Sequence, residues 1–206
     1  MNQGTPEWLQ ARCGLVTASR ISDVLAKIKS GEAASRIDYR AQLVAERISG
    51  KPTESFTNAA MQWGTEHEPF ARAAYELSTD SFVEQVGLIR HPEIIMTGAS
   101  PDGLVSHDGL VEIKCPNTAT HIEYALSGKP PAKYQNQMLW QMECTGREWC
   151  DFVSFDPRMP EDMKLFIVRF DRDQQRIDDM KDEVINFICE VEEEIQRLYK
   201  LFRKAA

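Results

Sequence analysis

The 206-residue sequence lacks several features that would assign it to a special class of protein. It contains no apolar run near the roughly 18–20 residues that a membrane-spanning helix requires. The polar opening, Met1 to Gln10, has no apolar core of a signal peptide. The five cysteines are an odd number without a CxxC pair, and the four histidines form no paired motif. We therefore expect a cytoplasmic protein with no membrane segment, no disulfide framework and no structural zinc.

Charge is unevenly distributed along an acidic chain. The 24 Lys and Arg residues are outnumbered by 32 Asp and Glu residues, and the net charge of −8 argues against a general nucleic-acid-binding protein. Segment 1–52 nevertheless carries eight basic residues against five acidic ones. This segment could form a basic face on an acidic body, although charge alone favours an ordinary solvated surface.

Hydrophobic periodicity predicts one domain, 1–206, that combines helices with a sheet. Apolar residues at helical spacing predict helices, and short runs of β-branched or aromatic residues between turn signals predict strands. The predicted helices follow Thr17 over about 21–28 and then cover 39–48, 69–77, 118–126, 132–144 and 177–202, with a loop over 29–36. The predicted strands are 82–90, 94–97, 109–115, 151–155 and 165–170, with 104–105 and 110–111 in a hairpin. This order favours an α/β (α+β) fold, with a central mixed sheet flanked by helices.

Two short motifs, Ser100-Pro101-Asp102 and Glu112-Ile113-Lys114, carry the most informative chemistry. On a strand, Glu112 and Lys114 are two residues apart and project from the same face, which Asp102 can reach from the neighbouring arm of the hairpin. Two converging carboxylates repel each other unless a cation joins them, and oxygen ligands favour Mg²⁺ or Mn²⁺ over zinc. The carbonyl of Ile113 would be a further ligand, and Lys114 would orient the attacking water. The pattern favours hydrolysis of a phosphodiester, although a turn aspartate followed by an exposed ion pair would look the same.

A third group of carboxylates lies at the predicted start of a helix, within Trp63-Gly64-Thr65-Glu66-His67-Glu68. Glu66 and Glu68 are separated by about 200° on an ideal helix, so only one of them can face the site. The helical pattern alone does not choose between them. A carboxylate in a first helical turn is also favourable simply because of the helix dipole.

Taken together, the motifs resemble the phage lambda-type alkaline exonucleases, the YqaJ-like viral recombinase nucleases of the PD-(D/E)xK superfamily. The resemblance extends over nearly the whole chain and follows the order and approximate spacing of that family. The landmarks are Trp8 with Arg12-Cys13-Gly14, Val16-Thr17-Ala18-Ser19, Trp63-Gly64-x-x-x-Glu68, Ser100-Pro101-Asp102-Gly103-Leu104, Glu112-Ile113-Lys114-Cys115-Pro116, Tyr134-x-x-Gln137 and Asp156-Pro157-Arg158-Met159.

The resemblance implies roles for individual residues. It selects Glu68 over Glu66 and implies that Glu68, Asp102, Glu112 and the Ile113 carbonyl hold Mg²⁺, with Mn²⁺ as the alternative. Lys114 would assist the attacking water, and Gln137 would bond near the scissile phosphate or the nucleophile. The resemblance further implies that Arg12, Ser19 and Ser100 form a pocket for a DNA 5′-phosphate. It also implies that Met61 acts as a wedge between bases, although Met61 could instead fill the core.

The resemblance also implies a function and an assembly. Segment 1–60 would bind the DNA end, 61–170 would form a restriction-endonuclease-like nuclease core, and 171–206 would be a C-terminal helix. We expect a Mg²⁺-dependent 5′-to-3′ exonuclease of linear double-stranded DNA, in a homotrimeric ring with Arg12, Arg20 and Lys27 facing the channel. A single-strand annealing protein would be its partner. The alternatives are an endonuclease of restriction or repair type and a non-catalytic module that binds DNA ends.

Overall fold

Seven α-helices surround two β-sheets in the computed structural model, which describes residues 2–53 and 58–203. The helices are α1 (Pro6–Arg12), α2 (Ile21–Val24), α3 (Ala34–Ser49), α4 (Ala59–Thr79), α5 (Thr118–Ser127), α6 (Ala132–Thr145) and α7 (Gln174–Arg203), and a 3₁₀ turn covers Ala18–Arg20. The strands are β1 (Val16–Thr17), β2 (Val83–Glu84), β3 (Ile89–Arg90), β4 (Thr97–Ala99), β5 (Gly103–Val105), β6 (Gly109–Lys114), β7 (Trp149–Phe155) and β8 (Leu165–Asp171). No helix in these two ranges is long and apolar enough to cross a membrane.

The larger sheet is mixed and has strand order β2-β5-β6-β7-β8. Its central strand β6 pairs antiparallel with β5 in the expected hairpin, with Leu104 opposite Leu110, and parallel with β7. The smaller sheet joins β1, β4 and β3 and connects the N-terminal segment to the residues just before the hairpin. The predicted α+β architecture with a mixed sheet between helices is therefore confirmed.

Successive side chains of β6 point to opposite faces of the sheet, and each face packs in a different hydrophobic core. Leu110 belongs to the larger core, together with residues of α3, α6 and α7. Val111 and Ile113 point to the opposite face and belong to the smaller core, which α4 covers with Ala71 and Tyr75. The polar residues of β6, Glu112 and Lys114, therefore lie on the face beneath α6. Every residue of this strand except Lys114 is buried.

Two predicted helices and one predicted loop were wrong in extent. The helix expected over 69–77 begins at Ala59, because the Asn58 side chain caps it by accepting a hydrogen bond from the backbone N–H of Met61 at 2.9 Å. Pro69 consequently lies inside the helix and not in its first turn. The expected loop over 29–36 is also shorter, since α3 begins at Ala34, and the helix expected over 21–28 ends at Val24 and leaves Ile28 exposed.

The strand expected over 94–97 is a turn until Thr97. The buried ring of His91 holds this turn, because its Nδ1 accepts hydrogen bonds from the backbone amides of Glu93 and Ile94 at 3.0 and 2.9 Å. Met96 then has a positive φ of 70°, which a strand does not allow. The expected strand over 82–90 is likewise divided into the two short strands β2 and β3.

Candidate active site

Glu112 lies at the centre of the polar face of β6 and is fully buried. Its Oε1 accepts a hydrogen bond from Gln137 Nε2 at 2.6 Å and forms an ion pair with the ammonium of Lys114. Its Oε2 accepts a hydrogen bond from Gln141 Nε2 at 2.7 Å. Glu112 and Lys114 therefore meet on the predicted face of β6, and Gln137 of α6 joins them in one cluster.

Asp102 joins this cluster from the turn before β5. Its Oδ2 accepts a hydrogen bond from the backbone N–H of Ile113 at 2.7 Å, which fixes the carboxylate beside β6. Burial and the nearby charge of Glu112 raise the pKa of Asp102 well above its ordinary value, and Lys114 opposes the shift. Burial alone would lower the pKa of Lys114, but the charges of Glu112 and Asp102 outweigh it and raise the pKa. The ammonium thus acts as the local counter-ion of the fully buried Glu112 and the half-buried Asp102.

Glu68 approaches the cluster from α4, which packs on the opposite face of the sheet. The side chain is 36% exposed and lies 3.4 Å from the guanidinium of Arg72. Burial raises the pKa of Glu68, and the charges of Arg72 and Lys114 partly oppose this shift. The carboxylate of Glu68 therefore interacts electrostatically with Lys114 of the cluster. Glu66 is exposed and accepts a hydrogen bond from Gln62. Of the two candidates, Glu68 is therefore the one that interacts with the charges of the cluster, although it does not line the cleft between them.

The donor set fits a divalent cation, although the carboxylates do not yet surround one point. No group of three or more His, Cys, Asp or Glu side chains within 2–53 and 58–203 is close enough to hold a metal ion as these side chains stand. The half-buried Asp102 and the fully buried Glu112 are nevertheless two oxygen donors whose repulsion contributes to the raised pKa of Asp102. A hard divalent cation would relieve this repulsion. The side chain of Ile113 packs in the smaller core, so only its backbone could take part.

The residues expected to bind a 5′-phosphate lie together beside α1. Arg12 Nη2 donates a hydrogen bond to Ser19 Oγ at 3.1 Å, and the guanidinium stacks 4.0 Å from the ring of Trp8. The indole Nε1 of Trp8 donates a hydrogen bond to Ser100 Oγ at 3.0 Å. Burial lowers the pKa of Arg12, and Tyr39 and Glu46 only partly oppose this shift. A desolvated guanidinium beside two hydroxyls favours a bound anion.

One cleft of about 190 Å³ joins this pocket to the carboxylate cluster. Its walls include Arg12, Ser19, Ser100, Asp102, Glu112, Lys114 and Gln137. Glu68 and Met61 lie outside these walls; Met61 is 53% exposed on α4, which argues against the core-filling interpretation. Seven of the nine predicted site side chains therefore surround one small space.

The sequence analysis assigned no role to two residues that shape this cleft. Trp8 was noted only as a landmark, but it contacts both Arg12 and Ser100. Gln141 was not noted, although it is fully buried and bonds Glu112. The only available signal was its spacing, because Gln141 follows Gln137 by four residues and so lies on the same face of α6.

Comparison with known proteins places the chain in a family. Residues 7–148 match the YqaJ-like viral recombinase domain, while no curated protein matches the chain. The crystal structure of an alkaline exonuclease from Laribacter hongkongensis is 51% identical, covers 98% of this chain and 100% of its own, and superposes with a TM-score of 0.91. Its complex with dAMP is 52% identical over the same shares of the two chains, with a TM-score of 0.92.

A phage-related exonuclease from Haemophilus somnus shares the fold at 18% identity and a TM-score of 0.71, covering 89% of this chain and 96% of its own. At that identity the likeness concerns the fold alone. The domain match and the 51% identity over nearly the full length support a closer relationship. This chain belongs to the YqaJ-like viral recombinase family and is an exonuclease of the alkaline exonuclease type.

Proposed function

We propose that this enzyme digests one strand of linear double-stranded DNA from a 5′-phosphorylated end. It releases mononucleotides in the 5′-to-3′ direction and leaves a 3′ overhang for recombination by strand annealing. The observation that carries the proposal is the shared cleft, in which Arg12, Ser19 and Ser100 lie beside Asp102 and Glu112. A pocket that fixes the terminal phosphate there sets the distance to the bond that is cleaved. The complex of the Laribacter hongkongensis relative with dAMP, a nucleoside monophosphate, agrees with such a product.

In the proposed mechanism, Asp102, Glu112 and the Ile113 carbonyl would hold Mg²⁺ or Mn²⁺, and Glu68 would complete the set. The bound ion would supply positive charge for the scissile phosphate and the attacking water. Lys114, already in contact with Glu112, would donate hydrogen bonds to that water and stabilise charge that develops on the phosphate. Gln137 lines the same cleft and would bond the phosphate or the nucleophile through its amide group.

At the DNA end, the guanidinium of Arg12 would form charge-assisted hydrogen bonds to the 5′-phosphate. The hydroxyls of Ser19 and Ser100 would add neutral contacts. The exposed side chain of Met61 would act as an apolar wedge between the bases. These contacts recognise the end of a strand without reading its sequence, as an exonuclease requires.

The proposal also covers the oligomeric state, the cellular location and the partner protein of the enzyme. Three chains would form a ring around the DNA in the cytoplasm of a bacterial host, and a single-strand annealing protein would receive the 3′ overhang. A ring would reconcile the net charge of −8 with DNA binding, because an enclosed duplex does not need strong attraction to remain bound.

The test is digestion of four matched DNA substrates with Mg²⁺ or with chelator. Linear duplexes with 5′-phosphate and 5′-hydroxyl ends, a nicked circle and a covalently closed circle would be compared by mononucleotide release. We expect release from the phosphorylated linear duplex, none from the closed circle, and none with chelator. Cleavage of the closed circle would instead support an endonuclease.

The end pocket has its own control within this assay. Arg12→Ala should reduce the preference for phosphorylated over hydroxyl ends by about tenfold or more, since one charge-assisted contact contributes about 1.5–3 kcal/mol. Arg197→Ala, a change on α7, should leave the preference unchanged. An unaltered preference in Arg12→Ala would reject the pocket.

A further inference from the structure

We propose that Gln141 is a positioning residue that holds Glu112 in the orientation required for metal binding. This inference rests on the proposed function, because it concerns the same carboxylate. Gln141 lies on α6, is 0% exposed, and donates from Nε2 to Glu112 Oε2 at 2.7 Å. It would act on the metal only through Glu112.

The two oxygens of Glu112 have different partners. Oε1 accepts a hydrogen bond from Gln137 and forms an ion pair with Lys114. The side chain of Lys114 is 26% exposed. Oε2 receives its hydrogen bond from the fully buried Gln141. A cation that approached Oε1 would repel the Lys114 ammonium from that oxygen, whereas the bond from Gln141 to Oε2 could persist. Gln141 would then keep the carboxylate from rotating when its other contacts change.

The orientation of the Gln141 amide supports this role. An ionised carboxylate only accepts hydrogen bonds, so the NH₂ group must face Glu112 and Oε1 must face away from it. This buried Oε1 has no hydrogen-bond partner in the part of the chain that the structure describes. An unsatisfied buried acceptor costs stability, so the amide is poorly suited to a role in the core alone. Its favourable contact is the one it makes with Glu112.

The test uses Gln141→Met, which has similar length and no amide. Mn²⁺ binding would be measured without DNA by electron paramagnetic resonance, alongside the Mg²⁺ dependence of digestion. Loss of a residue that orients a ligand typically weakens metal binding by about 10–100-fold. We expect a rise of that size in the Mn²⁺ dissociation constant and in the Mg²⁺ concentration for half-maximal activity. Turnover at saturating Mg²⁺ should recover most of the wild-type value.

Controls separate this role from a purely structural one. Met142→Leu changes a fully buried neighbour on α6 and should leave Mn²⁺ binding unchanged. Gln141→Asn keeps an amide that is too short to reach Glu112, so it should weaken Mn²⁺ binding as Gln141→Met does. Wild-type Mn²⁺ affinity in either folded variant overturns the inference, and so does failure of both to fold.

The wild-type protein distinguishes this inference from the proposed function. If it binds no Mn²⁺ and digests no DNA, both proposals are rejected. If it binds Mn²⁺ and digests linear DNA while the Gln141 variants bind Mn²⁺ equally well, only the role of Gln141 is rejected.

Discussion

In the proposed mechanism, Lys114 would have one role before a cation binds and another during catalysis. Before a cation binds, its ammonium neutralises Glu112 and partly offsets the burial of Asp102, which otherwise keeps the pKa of Asp102 high. During catalysis the same ammonium would be free to assist water. The ring of Tyr134, whose centroid lies 5.1 Å from Lys114 Nζ, provides an aromatic surface beside the ammonium.

Replacement of Lys114 tests the role in catalysis. Lys114→Ala should lower turnover at least about 100-fold while DNA binding survives, as expected when a transition-state contact is lost. Single-turnover digestion and DNA binding in Ca²⁺ would measure the two effects separately. Lys133→Ala is the matched control, because Lys133 is exposed and lies 4.7 Å from the same Tyr134 ring. Near-normal turnover of Lys114→Ala would remove Lys114 from the mechanism.

The packing of α6 against α7 depends on a buried carboxylate. Glu143 is 9% exposed and accepts hydrogen bonds from Lys181 Nζ at 2.9 Å and from the guanidinium of Arg172. Nε2 of the buried His91 ring lies 3.5 Å from it. Burial alone would raise the pKa of Glu143, but the contacts with Lys181 and Arg172 outweigh it and lower the pKa. The helix that carries Gln137 and Gln141 is therefore held partly by charge.

Glu143→Gln should lower the free energy of unfolding by about 3 kcal/mol, since a buried ion pair would lose one partner. The pKa of Glu143 is lower in the folded protein than in the unfolded chain, so the carboxylate stabilises the fold fully above the unfolded value of about 4.3. As pH falls below that value, the difference between wild type and variant should shrink. Urea unfolding at pH 7 and pH 3.5 would measure it.

Glu161→Gln is the control for this effect. Glu161 is 87% exposed in its pair with Lys164, and its loss should change stability by less than about 0.5 kcal/mol. An equal effect of the two substitutions, or a Glu143→Gln effect that grows on acidification, would contradict the assignment.

The elements that the sequence predicted well are those whose apolar pattern is long. The apolar residues at helical spacing in the last helix, α7, and the alternating residues of β6 each include buried positions in the structure. The two-residue strands β2 and β3 are too short to show a period, and the turn at 91–96 depends on a contact between a histidine ring and two amides. The start of α4 depended on a cap at Asn58, a signal that was present but not used.

The candidate site likewise contains features that a sequence pattern predicts and features that it does not. Alternation brought Glu112 and Lys114 to one face, because a strand has a fixed period of two. The bond from Asp102 to the Ile113 amide and the contact of Gln141 with Glu112 depend on how the hairpin and α6 pack. Packing of that kind has no local sequence pattern, so those contacts had to be seen in three dimensions.

The basic N-terminal segment is less available to DNA than its composition indicates. Lys27 pairs with Glu183, while Arg36 and Arg40 pair with Glu190. Arg20, which we expected in the channel, pairs with Asp23. Acidic residues of the last helix therefore neutralise much of the excess positive charge in segment 1–52.

A monomer with a net charge of −8 would be poorly retained on DNA by attraction alone, so we expect retention to come from enclosure. We expect sedimentation equilibrium at working concentration to give three times the chain mass of 23.5 kDa. We also expect the length of DNA digested per binding event to change little between 50 and 200 mM salt, because an encircled duplex cannot leave sideways. A mass of 23.5 kDa, together with digestion lengths that fall steeply with salt, would contradict the ring and indicate a monomer held on DNA by its basic residues.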